Sequence, residues 1–158
     1  MPAAPPPRRP MVIGVGNPDR GDDRCGLEVA RSVRHDVGDR ARVVECLGDE
    51  LGLLDLWEGG GLVVVVDGVR SGRPPGTVRR WVVGKDRLPT SASAMSTHGL
   101  SLGEAFALGA SVGRLPERLV LYGIEVERFG VGDPMSPPVE AGVKEAVRRV
   151  VDELKSAP

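Results

Sequence analysis

Aromatic side chains are nearly missing from this chain, at 3% of 158 residues. That scarcity excludes the stacking platforms on which single-stranded nucleic acid is held. An excess of one charge is missing too: 21 Lys and Arg stand against 22 Asp and Glu, a net −1. No overall field for a polyanion follows, and no nucleic-acid partner is expected. Two cysteines, Cys25 and Cys46, cannot make a disulfide framework, so a reduced cytoplasmic setting is expected. The most apolar run, Leu62–Val66, falls far short of the roughly 20 residues that span a bilayer. The first ten residues, M-P-A-A-P-P-P-R-R-P, lack the apolar centre of a signal peptide and read as a disordered Pro-rich tail. Residues 11–158 are long enough for one domain with a sizeable core.

What is present is concentrated near the front, in M-V-I-G-V-G-N-P-D-R-G-D-D-R-C-G from Met11 to Gly26. A short apolar run stops at Gly16–Asn17–Pro18, and a helical pattern starts at Gly26. Strand, tight acidic loop and helix form the first unit of an α/β domain. Gly14 and Gly16 imitate a dinucleotide fingerprint, but Asp19 takes the third glycine's place and the helix starts too late. A nucleotide site is therefore not expected.

Further along, Gly26, Val29, Ala30, Val33 and Val37 mark one face of a first helix. Arg42–Leu47 is expected as a second strand. Gly48–Gly52 reads as an acidic turn, and Leu51–Trp57 as a short helix. Leu62–Val66 has no alternation and reads as a central strand buried on both faces, ending at Asp67–Gly68. The broken stretch 68–76 leaves no room for a crossover helix, so Thr77–Val83 is expected to run antiparallel near an edge. A serine-rich loop leads to His98–Gly99, then a helix over about Leu100–Val112. Arg118–Gly123 is a last strand, and Ile124–Met135 a loop. Ser136 is placed to cap a final helix that tolerates Pro137 and Pro138 in its first turn. Its apolar stripe is Val139, Val143, Val147, Val150, Val151 and Leu154.

If the second and third strands flank the first, a crevice opens where the first and third diverge. Asp23 and Asp67 would face each other there, and a chain reversal would bring His98 to the same rim. Two carboxylates and an imidazole suit Zn²⁺, Ni²⁺ or Mn²⁺ with positions left open. Each also has a plainer role. Asp22 is the first candidate for an N-cap or turn former; Asp67–Gly68 is a common turn pair, and His98 can cap a helix. His35 is expected at the surface, Cys25 as a small buried residue, and Glu125 and Glu127 in solvent.

The motif G-V-G-N-P-x-R-G-D-D-x-x-G, followed in order by V-V-V-V-D-G-V at Val63–Val69, S-T-H-G-L at Ser96–Leu100 and L-V-L-Y-G-I-E at Leu119–Glu125, resembles the [NiFe] hydrogenase maturation endopeptidases. The resemblance covers nearly all of residues 11–154. It implies a three-layer α/β/α domain of phosphorylase/hydrolase-like type, with a five-stranded twisted mixed sheet of order 2-1-3-5-4 and strand 4 antiparallel. It implies a monomeric peptide hydrolase that removes the C-terminal extension of a hydrogenase large-subunit precursor once nickel is in place. In that comparison Asp23, Asp67 and His98 are the metal-contacting and catalytic residues, and nickel arrives with the precursor. Arg24 stands where the family commonly has glycine, and Cys25 is unusual beside such a loop. Two other functions share these residues: a nickel-reading module that holds the precursor without cutting it, and a thiol hydrolase using Cys25 with His98 and Asp67.

Overall fold

The computed structural model describes residues 2–4, 8–91 and 101–156. Its strands are β1 (Met11–Val15), β2 (Arg42–Cys46), β3 (Leu62–Arg70), β4 (Val78–Val82), β5 (Thr90–Ser91) and β6 (Arg118–Glu125). Its α-helices are α1 (Cys25–Val37), α2 (Leu53–Trp57), α3 (Leu102–Ser111) and α4 (Pro137–Lys155). The main sheet runs β2-β1-β3-β6-β4, with only β4 antiparallel to its neighbour, and β5 adds a short antiparallel pairing to the end of β3. With β6 counted as the fifth long strand, this is the expected order 2-1-3-5-4.

The central strands are β-branched because both of their faces are buried. Val64 and Val66 point toward α1 and α4, while Val63 and Val65 point toward α2 and α3. All four are essentially inaccessible to solvent, and each such side chain stabilises the fold by about 1.5–3 kcal/mol. On the first face, α1 contributes Val29 and Val33 and packs beside α4, which contributes Val139, Ala146 and Val150. On the second, Trp57 of α2 stacks on Phe106 of α3 with ring centroids 5.6 Å apart, and its indole N–H donates to the Arg114 carbonyl at 2.9 Å. No helix among the described residues is long and apolar enough to cross a membrane.

Two strands are longer than their sequence signal. β3 continues through Asp67 and Gly68 to Arg70, because β6 remains in register alongside it, with Asp67 opposite Gly123 and Val69 opposite Glu125. Asp67 is therefore a residue within the strand, not its end. β6 likewise continues through Ile124 and Glu125. The Glu125 carboxylate is buried, not solvated: it accepts from the Ser71 N–H, the Ser71 hydroxyl (2.5 Å) and the Arg73 N–H, which fixes the β3–β4 turn. Glu127 is exposed, as expected. At the front, the Pro10 carbonyl accepts from the Arg42 N–H at 2.9 Å and Arg9 donates to the Asp39 carbonyl.

Candidate functional site

The site is built from what leaves the carboxyl ends of β1, β2 and β3. β1 ends at Val15, and the chain turns through residues 16–20 into a 3-10 turn, Gly21–Arg24, that runs directly into α1. Glycine is required at two points of this path. A Cβ on Gly26 would collide with the carbonyls of both Val15 and Val66, so the first turn of α1 lies directly over the end of β1 and the middle of β3. A Cβ on Gly16 would strike the Asp23 carbonyl, which accepts from the Asn17 N–H at 3.2 Å. The glycines that imitate a nucleotide fingerprint thus serve close packing of this loop.

The two adjacent acids of the loop are both buried and differ in every contact. Asp22 is fully inaccessible. One of its carboxylate oxygens accepts from the backbone N–H groups of Glu127 (2.9 Å) and Arg128 (2.7 Å), the other from that of Ser136 (2.6 Å), and the Ser136 hydroxyl donates to the same carboxylate. Burial works against its ionisation, but these hydrogen bonds outweigh it and hold the carboxyl below the ordinary range. Asp22 is structural, but it is not an N-cap: it ties the first loop to the segment between β6 and α4. Ser136 occupies the N-cap position of α4 without capping it, because its hydroxyl is committed to Asp22. The Asp22 N–H donates in return to the Arg128 carbonyl at 2.6 Å, Arg20 Nε to the Phe129 carbonyl, and the Gly132 N–H to the Asp19 carbonyl.

Asp23 is 2% exposed, and its Oδ1 has no hydrogen-bond partner. Burial is the largest cause that pushes its carboxyl up, to about 6; the nearby Arg20 charge opposes this and the Glu50 carboxylate adds to it. Asp67, fully buried on β3, borders a shallow cleft walled by Val69, Leu88, Leu102, Phe106 and Leu121. Cys25, at the start of α1, lies within electrostatic reach of Asp67, Asp23 and Asp22. Asp23 and Asp67 thus both lie near the start of α1. Burial, reinforced by those three carboxylates, raises the Cys25 thiol well above its ordinary range. A buried thiol held in its protonated form is a poor nucleophile. His98 lies outside the described residues. His35 is on the surface, 91% exposed.

Among the described residues, no three His, Cys, Asp or Glu side chains are gathered to hold a metal by themselves. Asp23 still fits a divalent cation on a physical criterion: a desolvated carboxylate with an unpartnered oxygen favours any positive charge brought to it. The sequence reading missed Glu50, which is 6% exposed in the turn after β2. A buried carboxylate in a glycine-flanked acidic turn leaves no local signal, since its burial arises from the neighbouring loop.

A family model described as hydrogenase maturation protease matches residues 48–153. A hydrogenase expression/formation protein, HupD, from Thiocapsa roseopersicina is 29% identical over 91% of this chain, which spans 66% of that relative, just under two thirds of its length. Two solved structures share the fold. The hydrogenase maturating endopeptidase HybD from E. coli aligns with a TM-score of 0.72 and 22% identity over 93% of this chain and 92% of that one. The [NiFe] hydrogenase maturation protease HybD from Thermococcus kodakarensis gives 0.71 and 23% over 92% and 99%. The family match runs across most of the chain, and the fold it shares with these structures agrees with it: the chain belongs to the hydrogenase maturation protease family, a family of peptide hydrolases.

Proposed function

We propose that this protein is a cytoplasmic, monomeric endopeptidase that removes the C-terminal extension of a [NiFe] hydrogenase large-subunit precursor after nickel insertion. Nickel belongs to the substrate: it arrives bound to the precursor and serves as the recognition element. Asp23, Asp67 and His98 are the residues assigned to contact it, so cleavage depends on a correctly loaded precursor. A metal next to the scissile peptide can polarise its carbonyl or a water. The observation that carries this reading is Asp23 itself, a buried carboxylate with one idle oxygen and a pKa of about 6. A carboxyl tuned to that range is ionised at neutral pH and still basic enough to take a proton from water, which is what a general base requires.

The test is the mass of a nickel-loaded precursor before and after mixing. Loss of a C-terminal peptide, abolished by Asp23→Asn or His98→Ala and preserved in Cys25→Ala, supports the endopeptidase. An unchanged mass in a stable complex would replace it with a nickel-reading module that holds the precursor without cutting.

A further inference from the structure

Two guanidiniums meet at Phe129, in the segment between β6 and α4, and neither is paired with an acid. Arg20 is half-buried in the first loop, and its Nε donates to the Phe129 carbonyl at 3.1 Å. Arg70 is exposed at the end of β3, with its Cζ 4.8 Å from the centroid of the Phe129 ring. Among the described residues neither side chain forms an ion pair, and the remaining donors of both are unused. Asp23 feels the Arg20 charge but does not bond to it. Two like charges drawn to one residue repel each other, and an anion held between them replaces that repulsion with attraction.

The residue that gathers them is itself fixed. The Val126 N–H donates to the Val69 carbonyl at 3.1 Å, and the Asp22 N–H to the Arg128 carbonyl at 2.6 Å. Phe129 is thereby tied to β3 on one side and to the first loop on the other, and its ring packs against the core beneath α1 and α4. The acids of this region do not neutralise the pair. Asp22 and Glu125 are buried and take backbone N–H groups, and Asp133 accepts from the Gly130 N–H at 3.0 Å. Asp19 and Glu127 are exposed and form no ion pair among the described residues, while Arg73 and Arg128, also exposed and unpaired, add positive charge. A basic patch therefore stands out on a chain whose net charge is only −1.

Its place is beside the assigned residues, not among them. The Arg20 carbonyl accepts from the Asp23 N–H at 3.0 Å, one turn further along the loop. Arg70 follows Asp67 on β3 at an odd spacing, which turns the two side chains to opposite faces of the sheet. The patch thus lies on the α1 and α4 side of the carboxyl rim, and a polypeptide crossing that rim toward Asp23 would lie against it. A planar guanidinium fork matches a carboxylate, and the substrate of a peptide hydrolase can offer one on Asp or Glu.

We propose that Arg20 and Arg70, gathered on Phe129, form a subsite for an acidic side chain of the polypeptide substrate near its cleaved bond. The subsite deepens the endopeptidase reading and rests on it, adding recognition of the chain's charge to recognition of its metal.

The experiment measures binding of an amidated hexaglutamate peptide to the full-length protein by fluorescence anisotropy, at about 50 and about 200 mM salt. It is paired with the kinetics of precursor cleavage. The double variant Arg20→Gln/Arg70→Gln is expected to weaken peptide binding about tenfold, and added salt to weaken it in wild type but barely in the variant. Arg70→Gln alone, at an exposed strand end where folding is not at stake, is expected to weaken binding about threefold and to raise KM with little change in kcat. Arg70→Lys keeps the charge and is expected to keep most of the binding. Arg148→Gln, exposed on α4, is expected to change it less than about twofold. Equal affinities in wild type and the double variant would overturn the proposal. So would hexaglycine with a free carboxyl terminus binding as tightly as hexaglutamate, since a chain end and not a side chain would then be the ligand. An uncut precursor together with arginine-dependent hexaglutamate binding would fail the endopeptidase reading and leave the subsite standing.

Discussion

Asp22 and Asp23 are one peptide bond apart, equally hidden from water, and solved in opposite ways. Asp22 receives three backbone N–H groups and a hydroxyl, all from the segment between β6 and α4. Asp23 leaves one carboxylate oxygen without a partner and has a second acid, Glu50, nearby. The difference teaches what each is for. A buried charge whose oxygens are all used holds two loops together, and in the proposed reading a buried charge left short meets the metal that arrives with the substrate. The first also serves the second, since the loop that Asp22 ties down is the one that presents Asp23.

The comparison breaks most sharply if the two are exchanged for uncharged residues. Asp22→Ala deprives the N–H groups of Glu127, Arg128 and the buried Ser136 of their acceptor, and is expected to cost about 3–5 kcal/mol in urea unfolding. Asp23→Asn removes a penalty, and is expected to leave stability unchanged or raise it by about 1 kcal/mol while precursor cleavage is lost. Comparable losses of stability in the two variants would mean that Asp23 is as structural as its neighbour.

The pH dependence of stability separates them next, because the signs are opposite. Unfolded Asp titrates near 3.9. Asp23 sits above that value at about 6, so the fold prefers its neutral form: its penalty is absent below about pH 4, grows between about 4 and 6, and is constant above. Asp22 sits below its ordinary value, so its contribution is complete above about pH 4 and is lost as pH falls through its folded-state value. Wild-type stability is expected to decline by about 1–3 kcal/mol from pH 4 to pH 6 on account of Asp23, and Asp23→Asn to remove that decline. If Asp23 acts as the base, the cleavage rate rises with pH through the same window.

A smaller effect tests the donor side of Asp22. Ser136→Ala removes one hydroxyl and keeps the backbone N–H, so about 1 kcal/mol is expected to be lost, with cleavage preserved if the loop holds its place. A loss as large as that of Asp22→Ala would mean that the hydroxyl, and not the backbone, anchors the joint.

How much of this could be read from the residues depended on range. The unbroken run Leu62–Val66 told of a strand buried on both faces, and the glycines of the first loop of a tight strand-to-helix passage. The extension of β3 through Asp67 was hidden, because it depends on register with β6 and not on the propensity of Asp or Gly. β5 pairs through only two residues, Thr90 and Ser91, too short to carry a pattern. Ser136 had the sequence position of a cap, but its hydroxyl is taken by an acid 114 residues away. Glu125 and Glu50 were legible as acids and not as buried ones, since the groups around them come from separate segments. Asp23 and Asp67 were candidates because a switch point is a consequence of topology; the first does follow the end of β1, while the second lies within β3.

The smallest effect is expected at Cys25, and it bears on which chemistry the crevice performs. The thiol is fully buried at the start of α1. A helix start ordinarily favours a thiolate, but here burial and the charges of Asp67, Asp23 and Asp22 favour the protonated form instead. The acids assigned to contact the substrate's metal in the proposed reading therefore disarm the cysteine, and the two roles exclude each other at one site. Cys25→Ala is expected to cost about 1 kcal/mol for the small space it vacates and to change the rate of precursor cleavage less than about twofold. A rate abolished in Cys25→Ala, with folding intact by circular dichroism, would transfer the chemistry from the carboxylates to the thiol. The field of those carboxylates would then need a resident cation to offset it.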